Sequence, residues 1–338
     1  MNEAAPAPSP VLFLDTISAY QRSAALKGAL DLDLFTAIGD GQEPAQALAE
    51  RCGAAPRGMR ILCDYLTIFG FLAKEGDRYS LTPDSAVFLN RRSPAYLGGS
   101  ADFILSPLLT AAFTDVAAAV RRGGTAMSEE GTVAPEHPIW VDFARAMAPW
   151  ATLPAEALAK LIEVDRARRI TVLDVAAGHG VFGIAFAKRH RNVEVVALDW
   201  AKVLEVASDN ARAAGVGHRY RTIAGSAFDV DYGSGYDLVL LTNFLHHFDP
   251  GACERVLGKA RAALAPGGRV VTLEFIPNED RISPPQAAAF GLVMLCSTPR
   301  GDAYTLAEYD RMLRAAGFAR SEFHPLPPTL QQVIISYG

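Results

Sequence analysis

The sequence predicts a doubly wound, Rossmann-like α/β sheet preceded by a smaller winged-helix-like domain. Three observations support this fold class. A strand, a glycine-rich turn and a helix follow one another over residues 170–183, and strand and helix patterns alternate from Leu161 to the C-terminus. The first hundred residues show helices followed by a hairpin pattern. Alternating strands and helices are typical of a mostly parallel sheet with helices on both faces.

The N-terminal elements follow from apolar spacing and glycine breaks. We predict helices at 12–30, 44–52 and 57–69, and a hairpin whose two strands flank Glu75-Gly76-Asp77. A winged helix can bind DNA, but the last of these helices carries only Arg57 and Arg60, beside Asp64. Phosphate contacts need a more basic face. We therefore expect a packing or dimerisation module, with a DNA-binding regulator that senses a ligand as an alternative.

The middle of the chain, residues 84–160, has helical patterns that prolines interrupt, among them Pro149 and Pro154. Within it, Trp140, Phe143 and Met147 recur about one helical turn apart. Such a face can be ordinary core. It can also be an apolar wall over a planar ligand, because methionine and aromatic side chains suit one.

The C-terminal part supplies the sheet. Predicted strands are 171–175, 194–198, 220–223, 237–242 and 269–275, with a possible edge strand at 333–336. Predicted helices are 181–189, 201–214, 251–264 and 306–316. Ligands of such sheets bind at the carboxyl ends of the strands.

Composition excludes several classes of protein. The 338 residues carry a formal net charge of −5 and no long basic run, which argues against nucleic acid or an anionic membrane as the main partner. The four cysteines form no CxxC pair and the histidines show no metal-ligand spacing, so we expect free thiols and no metal. Residues 1–10 are expected to be a disordered lead-in without signal-peptide features, and no apolar run is long enough to cross a membrane. These features predict a cytoplasmic protein.

The glycine turn predicts a nucleoside site. Gly178-x-Gly180-x-x-Gly183, with Asp199 about twenty residues further on, matches a dinucleotide fingerprint, so NAD stays open on this motif alone. Asp174, at the strand end before the turn, favours S-adenosylmethionine instead, because a carboxylate there can meet a cationic amino-acid tail. The segment 225–228, after the third strand, can bracket an adenine ring.

Nearly the whole chain resembles the dimeric small-molecule O-methyltransferases of class I, typified by the caffeate and acetylserotonin enzymes and their bacterial natural-product relatives. The resemblance rests on the order LDVAAGHG, VVALDW, GSAF, NFLHHFDPGACERVL and LAPGGRVVTLEF, behind a winged N-terminal domain. It implies a dimerisation domain at 1–100, a helical segment over the substrate at 101–160, and an S-adenosylmethionine-binding domain at 161–338. It also implies a homodimer formed through the N-terminal domain and a small-molecule acceptor.

Carried over residue by residue, the family pattern places the methionine part of the cofactor at the glycine turn and its ribose at Asp199. Trp200 would lie against the adenine. Ser226 stands where the family usually has an aspartate, so its hydroxyl would replace a carboxylate contact and Phe228 would pack on the ring. The full set of cofactor-binding residues implied is Asp174, Ala176, Gly178, Gly180, Asp199, Trp200, Ser226, Ala227, Phe228 and Asn243. His179, within the turn, is expected to be exposed beside the cofactor and not catalytic.

The family's catalytic histidine aligns with His246, and the glutamate that orients it aligns with Glu274. A neutral imidazole can remove the proton of a hydroxyl as the methyl group transfers, and a carboxylate behind it fixes the tautomer. His247 takes the position of the family's aspartate and is expected to contact the substrate. The acceptor wall implied is Trp140, Phe143, Met147, His247, Phe290 and Met294.

One departure bears on the reaction type. The family often has a second supporting glutamate where this chain has Ala303, and Asp302 or Tyr304 would have to substitute. O-methylation of a flat aromatic metabolite is the predicted reaction. Methylation of carbon or nitrogen, or non-methylating chemistry on the same fold, remains open.

Overall fold

The computed structural model describes residues 8–338, so residues 1–7 of the predicted lead-in lie outside the described residues. Packing of the backbone divides the chain into two compact units, with the boundary between Leu105 and Ser106. The three-part division at residues 100 and 160 stays a prediction.

The N-terminal unit contains short helices and a small antiparallel sheet. Its helices are α1 (Val11–Asp31), α2 (Leu34–Ile38), α3 (Ala45–Arg51), α4 (Pro56–Ile68), α5 (Pro83–Phe88) and α6 (Ala101–Ile104). Its strands are β1 (Glu43–Pro44), β2 (Leu72–Glu75) and β3 (Arg78–Leu81), in the order β1-β3-β2. The predicted hairpin is present, because Glu75 pairs with Arg78 across a two-residue turn.

Two features of this unit bear on its role. Asp64 pairs with both Arg60 (2.8 Å) and Lys74 (2.6 Å), which neutralises part of the small basic set. The first two-thirds of α1 exposes apolar side chains, among them Leu14 and Ile17, and only Ala29 and Leu30 of this helix are buried. An exposed apolar helix face of this length usually marks an interaction surface.

The C-terminal unit is a seven-stranded sheet covered on both faces. Its strands are β4 (Ile170–Val175), β5 (Val193–Asp199), β6 (Tyr220–Ala224), β7 (Tyr236–Thr242), β8 (Leu264–Glu274), β9 (Arg320–Pro325) and β10 (Gln332–Tyr337). Its helices are α7 (Pro107–Ala112), α8 (Val116–Arg122), α9 (Ile139–Leu161), α10 (Val181–Arg189), α11 (Ala201–Ala213), α12 (Pro250–Ala262), α13 (Pro285–Ser297) and α14 (Leu306–Ala315).

The strand order β6-β5-β4-β7-β8-β10-β9 confirms the predicted doubly wound fold. The first five strands are parallel and β10 is antiparallel to both neighbours. Helices α9 and α10 pack with the apolar cluster on one face, and α12 and α14 pack with the cluster on the other. The chain runs outward from β4 to β6 and then returns beside β4 as β7. The crevice between β4 and β7 is therefore the topological switch point, where ligands bind.

One expectation about the elements was wrong, and other elements were missed. Helix α9 runs without interruption through Pro149 and Pro154, because buried residues such as Ala144, Ala155 and Leu158 pack this helix against its neighbours and offset the cost of the prolines. Strand β9 and helix α13 were not predicted as elements. Both segments have weak apolar periodicity in the sequence. Pairing with β10 forms strand β9, and burial of residues such as Met294 stabilises helix α13.

Candidate active site

The glycine turn lies at the carboxyl end of β4 and is fixed by the acid at the end of β5. Ala176, Gly178 and Gly180 have positive φ angles of 54°, 56° and 73°. The Gly178 N–H donates to Asp199 Oδ2 at 2.8 Å, and the Trp200 N–H donates to Asp199 Oδ1 at 2.7 Å. One carboxylate therefore joins the turn to the next strand and faces the crevice where the ribose is expected.

The glycines serve different purposes. A Cβ on Gly183 would lie 2.7 Å from Val195 Cγ1, and one on Gly180 would lie 2.5 Å from the Tyr220 hydroxyl, so both positions require close packing. A Cβ on Gly178 would meet nothing closer than the Phe143 ring, at 3.5 Å. Gly178 is thus needed for its backbone angle, and its open side faces the ring of Phe143.

Two acids, the buried Asp174 and the half-buried Asp199, give this crevice its electrostatic character. Asp174 is fully buried; its Oδ2 accepts from Gly183 N at 3.0 Å, and among the described residues nothing bonds to its Oδ1. Burial raises the pKa of the Asp174 carboxyl to about 7, and burial raises that of Asp199 to about 6. A cationic ligand would relieve both carboxyl groups, so these residues fit the positively charged donor expected here.

A loop after β6, Gly225–Val230 (the β6 loop), stands beside this pocket. The Gly225 N–H donates to Asp199 O at 2.9 Å, which ties the loop to the end of β5. Ser226 accepts from Phe228 N through its hydroxyl (3.1 Å) and from Val230 N through its carbonyl (3.0 Å). Ala227 is buried, Phe228 packs edge-on against Phe248, and half-buried Trp200 precedes α11.

A buried imidazole–carboxylate pair lies where β7 and β8 end. Glu274 is the last residue of β8 and is fully buried. Its Oε1 accepts from Phe244 N at 3.0 Å and from Leu245 N at 2.9 Å, and its Oε2 lies 2.5 Å from His246 Nδ1. Asn243, which turns the chain out of β7, has a φ of 52° and a buried Oδ1 that accepts no hydrogen bond from any described residue.

This geometry fixes which nitrogen of His246 carries a proton. A carboxylate has no hydrogen to donate, so beside the Glu274 carboxylate Nδ1 is assigned the hydrogen and Nε2 is left as an acceptor. Only 3 % of His246 is exposed. No hydrogen bond joins Nε2 to another described residue. An imidazole held this way can take a proton from a group placed at Nε2.

Aromatic rings connect this pair to the glycine turn. The His246 ring lies 4.8 Å from Phe290 and 4.2 Å from His247 between centroids. His247 contacts Trp140 at 5.1 Å, and Trp140 contacts Phe143 at 5.7 Å. Four of the six predicted wall residues are thus contiguous. Met147 is half-buried four residues after Phe143, and Met294 is buried four residues after Phe290.

The two other histidines of the site are held neutral. His179 is buried, with 5 % exposed, so the expectation that it is exposed was wrong. Its ring stacks on Phe143 at 5.8 Å, and burial lowers its pKa to about 4. The pKa of His247 is held well below the ordinary value, by burial and then by the adjacent His246. Sequence spacing could not indicate these contacts, because Phe143 and Trp140 come from a distant helix.

The residues near Ala303 do not supply a second carboxylate to His246. The half-exposed Asp302 side chain lies 3.5 Å from Arg281, and the Tyr304 hydroxyl donates to Phe248 O at 2.6 Å. Instead, the backbone N–H of Asp302 donates to His246 O at 2.9 Å. Ala303 itself is buried. The carboxylate in contact with His246 is that of Glu274.

Two contributors were missed from the sequence. Tyr220, at the start of β6, places a buried hydroxyl under Gly180, and no described residue bonds to it. Lys259, on α12, donates to two carbonyl groups of the β6 loop. Neither belongs to a motif, so no local signal in the sequence could have found them. Within residues 8–338 no cluster of three metal-ligating side chains occurs, and no helix there is long and apolar enough to span a membrane.

Comparison with known proteins matches both parts of the chain to family models. Residues 123–319 match the O-methyltransferase domain, and residues 14–91 match the O-methyltransferase dimerisation domain. Among curated relatives, the 3-hydroxy-5-methyl-1-naphthoate 3-O-methyltransferase of Streptomyces sahachiroi is 30 % identical over 317 residues, which cover 91 % of this chain and 89 % of that protein. The TcmO 8-O-methyltransferase of tetracenomycin synthesis, from Streptomyces glaucescens, is 28 % identical, covering 90 % of each chain.

Solved structures agree with the fold. A provisionally named O-methyltransferase of Nostoc punctiforme is 56 % identical and superposes with a TM-score of 0.95, covering 98 % of this chain and all of that one. Human N-acetylserotonin methyltransferase in complex with SAM is 20 % identical and superposes with a TM-score of 0.85, covering 99 % of each chain. At that identity the likeness is one of fold.

Proposed function

The chain belongs to the O-methyltransferase family, and on that premise we propose that it transfers the methyl group of S-adenosylmethionine to a hydroxyl of a small aromatic metabolite. The relatives named above are a 3-O-methyltransferase of a hydroxynaphthoate and an 8-O-methyltransferase of tetracenomycin polyketide synthesis. The wall formed by Trp140, Phe143 and Phe290 suits a flat apolar acceptor of that kind.

The observation that carries the proposal is the contact between His246 Nδ1 and Glu274 Oε2, 2.5 Å apart. It lies at the same edge of the sheet as the glycine turn, and rings of Phe290 and His247 surround it. A buried base oriented by a buried carboxylate is what deprotonation of a weakly acidic hydroxyl requires.

The donor would be held by residues at three strand ends. Asp174 and the glycine turn would receive the methionine part, Asp199 the ribose hydroxyls, and the β6 loop with Trp200 the adenine. Asp174 Oδ1 is a buried acceptor without a hydrogen bond from any described residue. A cationic group could pair with it, which supports this assignment. When bound, S-adenosylmethionine supplies an electrophilic methyl group on a sulfonium centre.

His246 and Glu274 would then remove the proton of the acceptor hydroxyl and hold it. His246 Nε2 would accept the proton of the acceptor hydroxyl, which leaves the hydroxyl oxygen able to take the methyl group. Glu274 would stabilise the resulting imidazolium through Nδ1–H, and the two backbone N–H groups that donate to its Oε1 would hold the carboxylate in position. His247, neutral and adjacent, would contact the acceptor without competing for the proton.

We further infer that the protein is a homodimer formed through its N-terminal unit. The match to the dimerisation domain covers residues 14–91, which include most of α1. Leu14 and Ile17 of that helix are 51 % and 52 % exposed, one turn apart. A second copy of this helix would remove them from water.

The test of the reaction is transfer of an isotopically labelled methyl group from S-adenosylmethionine to a panel of hydroxylated naphthoates and benzoates. We expect the label on a ring oxygen, located by NMR of the product. Affinity for S-adenosylhomocysteine should fall about tenfold or more in Asp199→Ala, since hydrogen bonds to a charged partner are worth about 1.5–3 kcal/mol each.

The matched control is Asp142→Ala, an exposed acid in the first turn of α9, which should bind S-adenosylhomocysteine like the unmodified protein. Label on a carbon atom of the product would show that the reaction is C-methylation and would contradict O-methylation. No binding of S-adenosylhomocysteine by the unmodified protein would contradict the donor assignment.

A further inference from the structure

Lys259 of α12 makes all of its polar contacts with one segment of the chain. Its Nζ donates to Phe228 O at 2.7 Å and to Val230 O at 2.8 Å. The same nitrogen lies 4.7 Å from the centre of the Tyr232 ring. An ammonium group has three N–H bonds, so two carbonyl groups and one ring face occupy it.

Two tyrosine hydroxyl groups also donate to backbone carbonyl groups in and next to the β6 loop. The Tyr232 hydroxyl donates to Ala227 O at 2.8 Å, and the Tyr236 hydroxyl donates to Tyr232 O at 2.8 Å. The carbonyl groups of Ala227, Phe228 and Val230 are therefore all bonded to side chains. A Cβ on Gly225 would lie 2.4 Å from Val230 Cγ1, so the loop is also closely packed on itself.

The backbone N–H groups of the loop fall into two sets, one bonded within the loop and one without a described partner. Those of Phe228, Asp229 and Val230 donate to Ser226, within the turn. The N–H groups of Ser226 and Ala227 form no hydrogen bond with any described residue. These two donors lie at the end of β6 beside Asp199, where a purine base offers ring nitrogens as acceptors.

We infer that Lys259 is a positioning residue for adenine: by fixing the carbonyl groups of Phe228 and Val230 it orients the free N–H groups of Ser226 and Ala227 toward the base. This rests on the proposed function, since it takes the β6 loop as the adenine site. It also explains how a chain with Ser226 in place of an aspartate can select adenine, because backbone donors held in place can recognise an acceptor nitrogen.

The test compares two ligands that differ only in the base. S-Adenosylhomocysteine presents N1 as an acceptor, whereas S-inosylhomocysteine carries a hydrogen on N1, and the two are otherwise equivalent at the ribose and amino-acid ends. We expect the unmodified protein to prefer the adenine ligand in calorimetric titration. In Lys259→Met, affinity for S-adenosylhomocysteine should fall about tenfold, and affinity for S-inosylhomocysteine should change less than about twofold.

Kinetics separate positioning from a general loss of structure. In Lys259→Met, the KM for S-adenosylmethionine should rise while kcat at saturation stays within about twofold, and Lys259→Arg should recover most of the affinity because it keeps the charge and the donors. Arg255→Met, at an exposed basic position one turn earlier on α12, is the matched control and should leave the affinity for both ligands unchanged. If Lys259→Met does not fold, Tyr232→Phe takes its place, because it removes the hydrogen bond from the Tyr232 hydroxyl to Ala227 O. It should also weaken binding of S-adenosylhomocysteine more than binding of S-inosylhomocysteine, by a smaller factor.

Equal weakening of both ligands, an unchanged preference for adenine, or a fall in kcat with unchanged binding would overturn the role of Lys259. Those results would leave the proposed function standing. Failure of the unmodified protein to bind S-adenosylhomocysteine would instead overturn the proposed function, and the inference with it.

Discussion

At the scale of single residues, Asp174 is a carboxyl group that the fold buries completely and bonds on one oxygen only. Its pKa is raised to about 7 by burial, so the folded protein keeps a proton that the unfolded chain releases. The free energy of unfolding that depends on Asp174 therefore falls as pH rises from about 4 to about 7, and is constant above that.

We predict that Asp174→Asn is more stable than the unmodified protein without ligand at pH 8, by about 2–4 kcal/mol, and that this difference shrinks toward pH 4. Affinity for S-adenosylhomocysteine should fall in the same variant, because the carboxylate charge is lost. Urea denaturation across pH measures the first and calorimetry the second. A difference in stability that is the same at pH 4 and pH 8 would contradict the raised pKa; Asp142→Asn serves as control.

The same scale shows what sequence reasoning could reach. His246 and Glu274 were expected as partners from the order of motifs, and the structure brings them into contact. The burial of His179 was not foreseen, because it depends on the Phe143 ring, which the packing of α9 supplies from outside the motif. Lys259 was missed for a similar reason: its partners are backbone carbonyl groups about thirty residues away.

At the scale of elements, helix α10 approaches β5 closely at Gly183, while helix α12 has free space at Gly258. A Cβ on Gly183 would meet Val195 Cγ1 at 2.7 Å and Asp174 Oδ2 at 3.0 Å, whereas a Cβ on Gly258 meets nothing within 4 Å. We predict that Gly183→Ala costs about 1–3 kcal/mol through overpacking and that Gly258→Ala gains about 0.5–1 kcal/mol through helix propensity.

Urea denaturation of the ligand-free protein measures both changes, and each variant is the other's control. If Gly183→Ala were as stable as Gly258→Ala, the close approach of α10 to the sheet would be wrong. The mostly parallel sheet was predictable from alternating patterns, whereas the continuity of α9 through two prolines was not, since packing of its buried face decides it.

At the scale of the whole molecule, α1 carries an apolar surface that the N-terminal unit does not cover. We predict that the protein sediments as a dimer at micromolar concentration and that the double variant Leu14→Glu/Ile17→Glu sediments as a monomer, since charges on that surface cannot be desolvated cheaply. Ile282→Glu, at an even more exposed apolar position (74 %) in the other unit, is the control and should stay dimeric. A monomeric unmodified protein, or a dimeric double variant, would contradict the interface.

Fold class and family followed from the sequence because they depend on patterns that recur along the whole chain. The proposed acceptor wall is different, since it depends on which rings from α9 and α13 lie beside His247 and His246. Those contacts depend on how α9 and α13 pack, and no local spacing encodes them.

The proposal that His246 is the general base is tested most directly by the pH dependence of single-turnover methyl transfer in His246→Ala. Without an internal base, only acceptor that is already ionised can react, so the rate should rise about tenfold per pH unit until the acceptor's own pKa is reached. The unmodified protein should show a much weaker dependence over the same range. A rate in His246→Ala that stays a constant fraction of the unmodified rate at every pH would contradict the proposal.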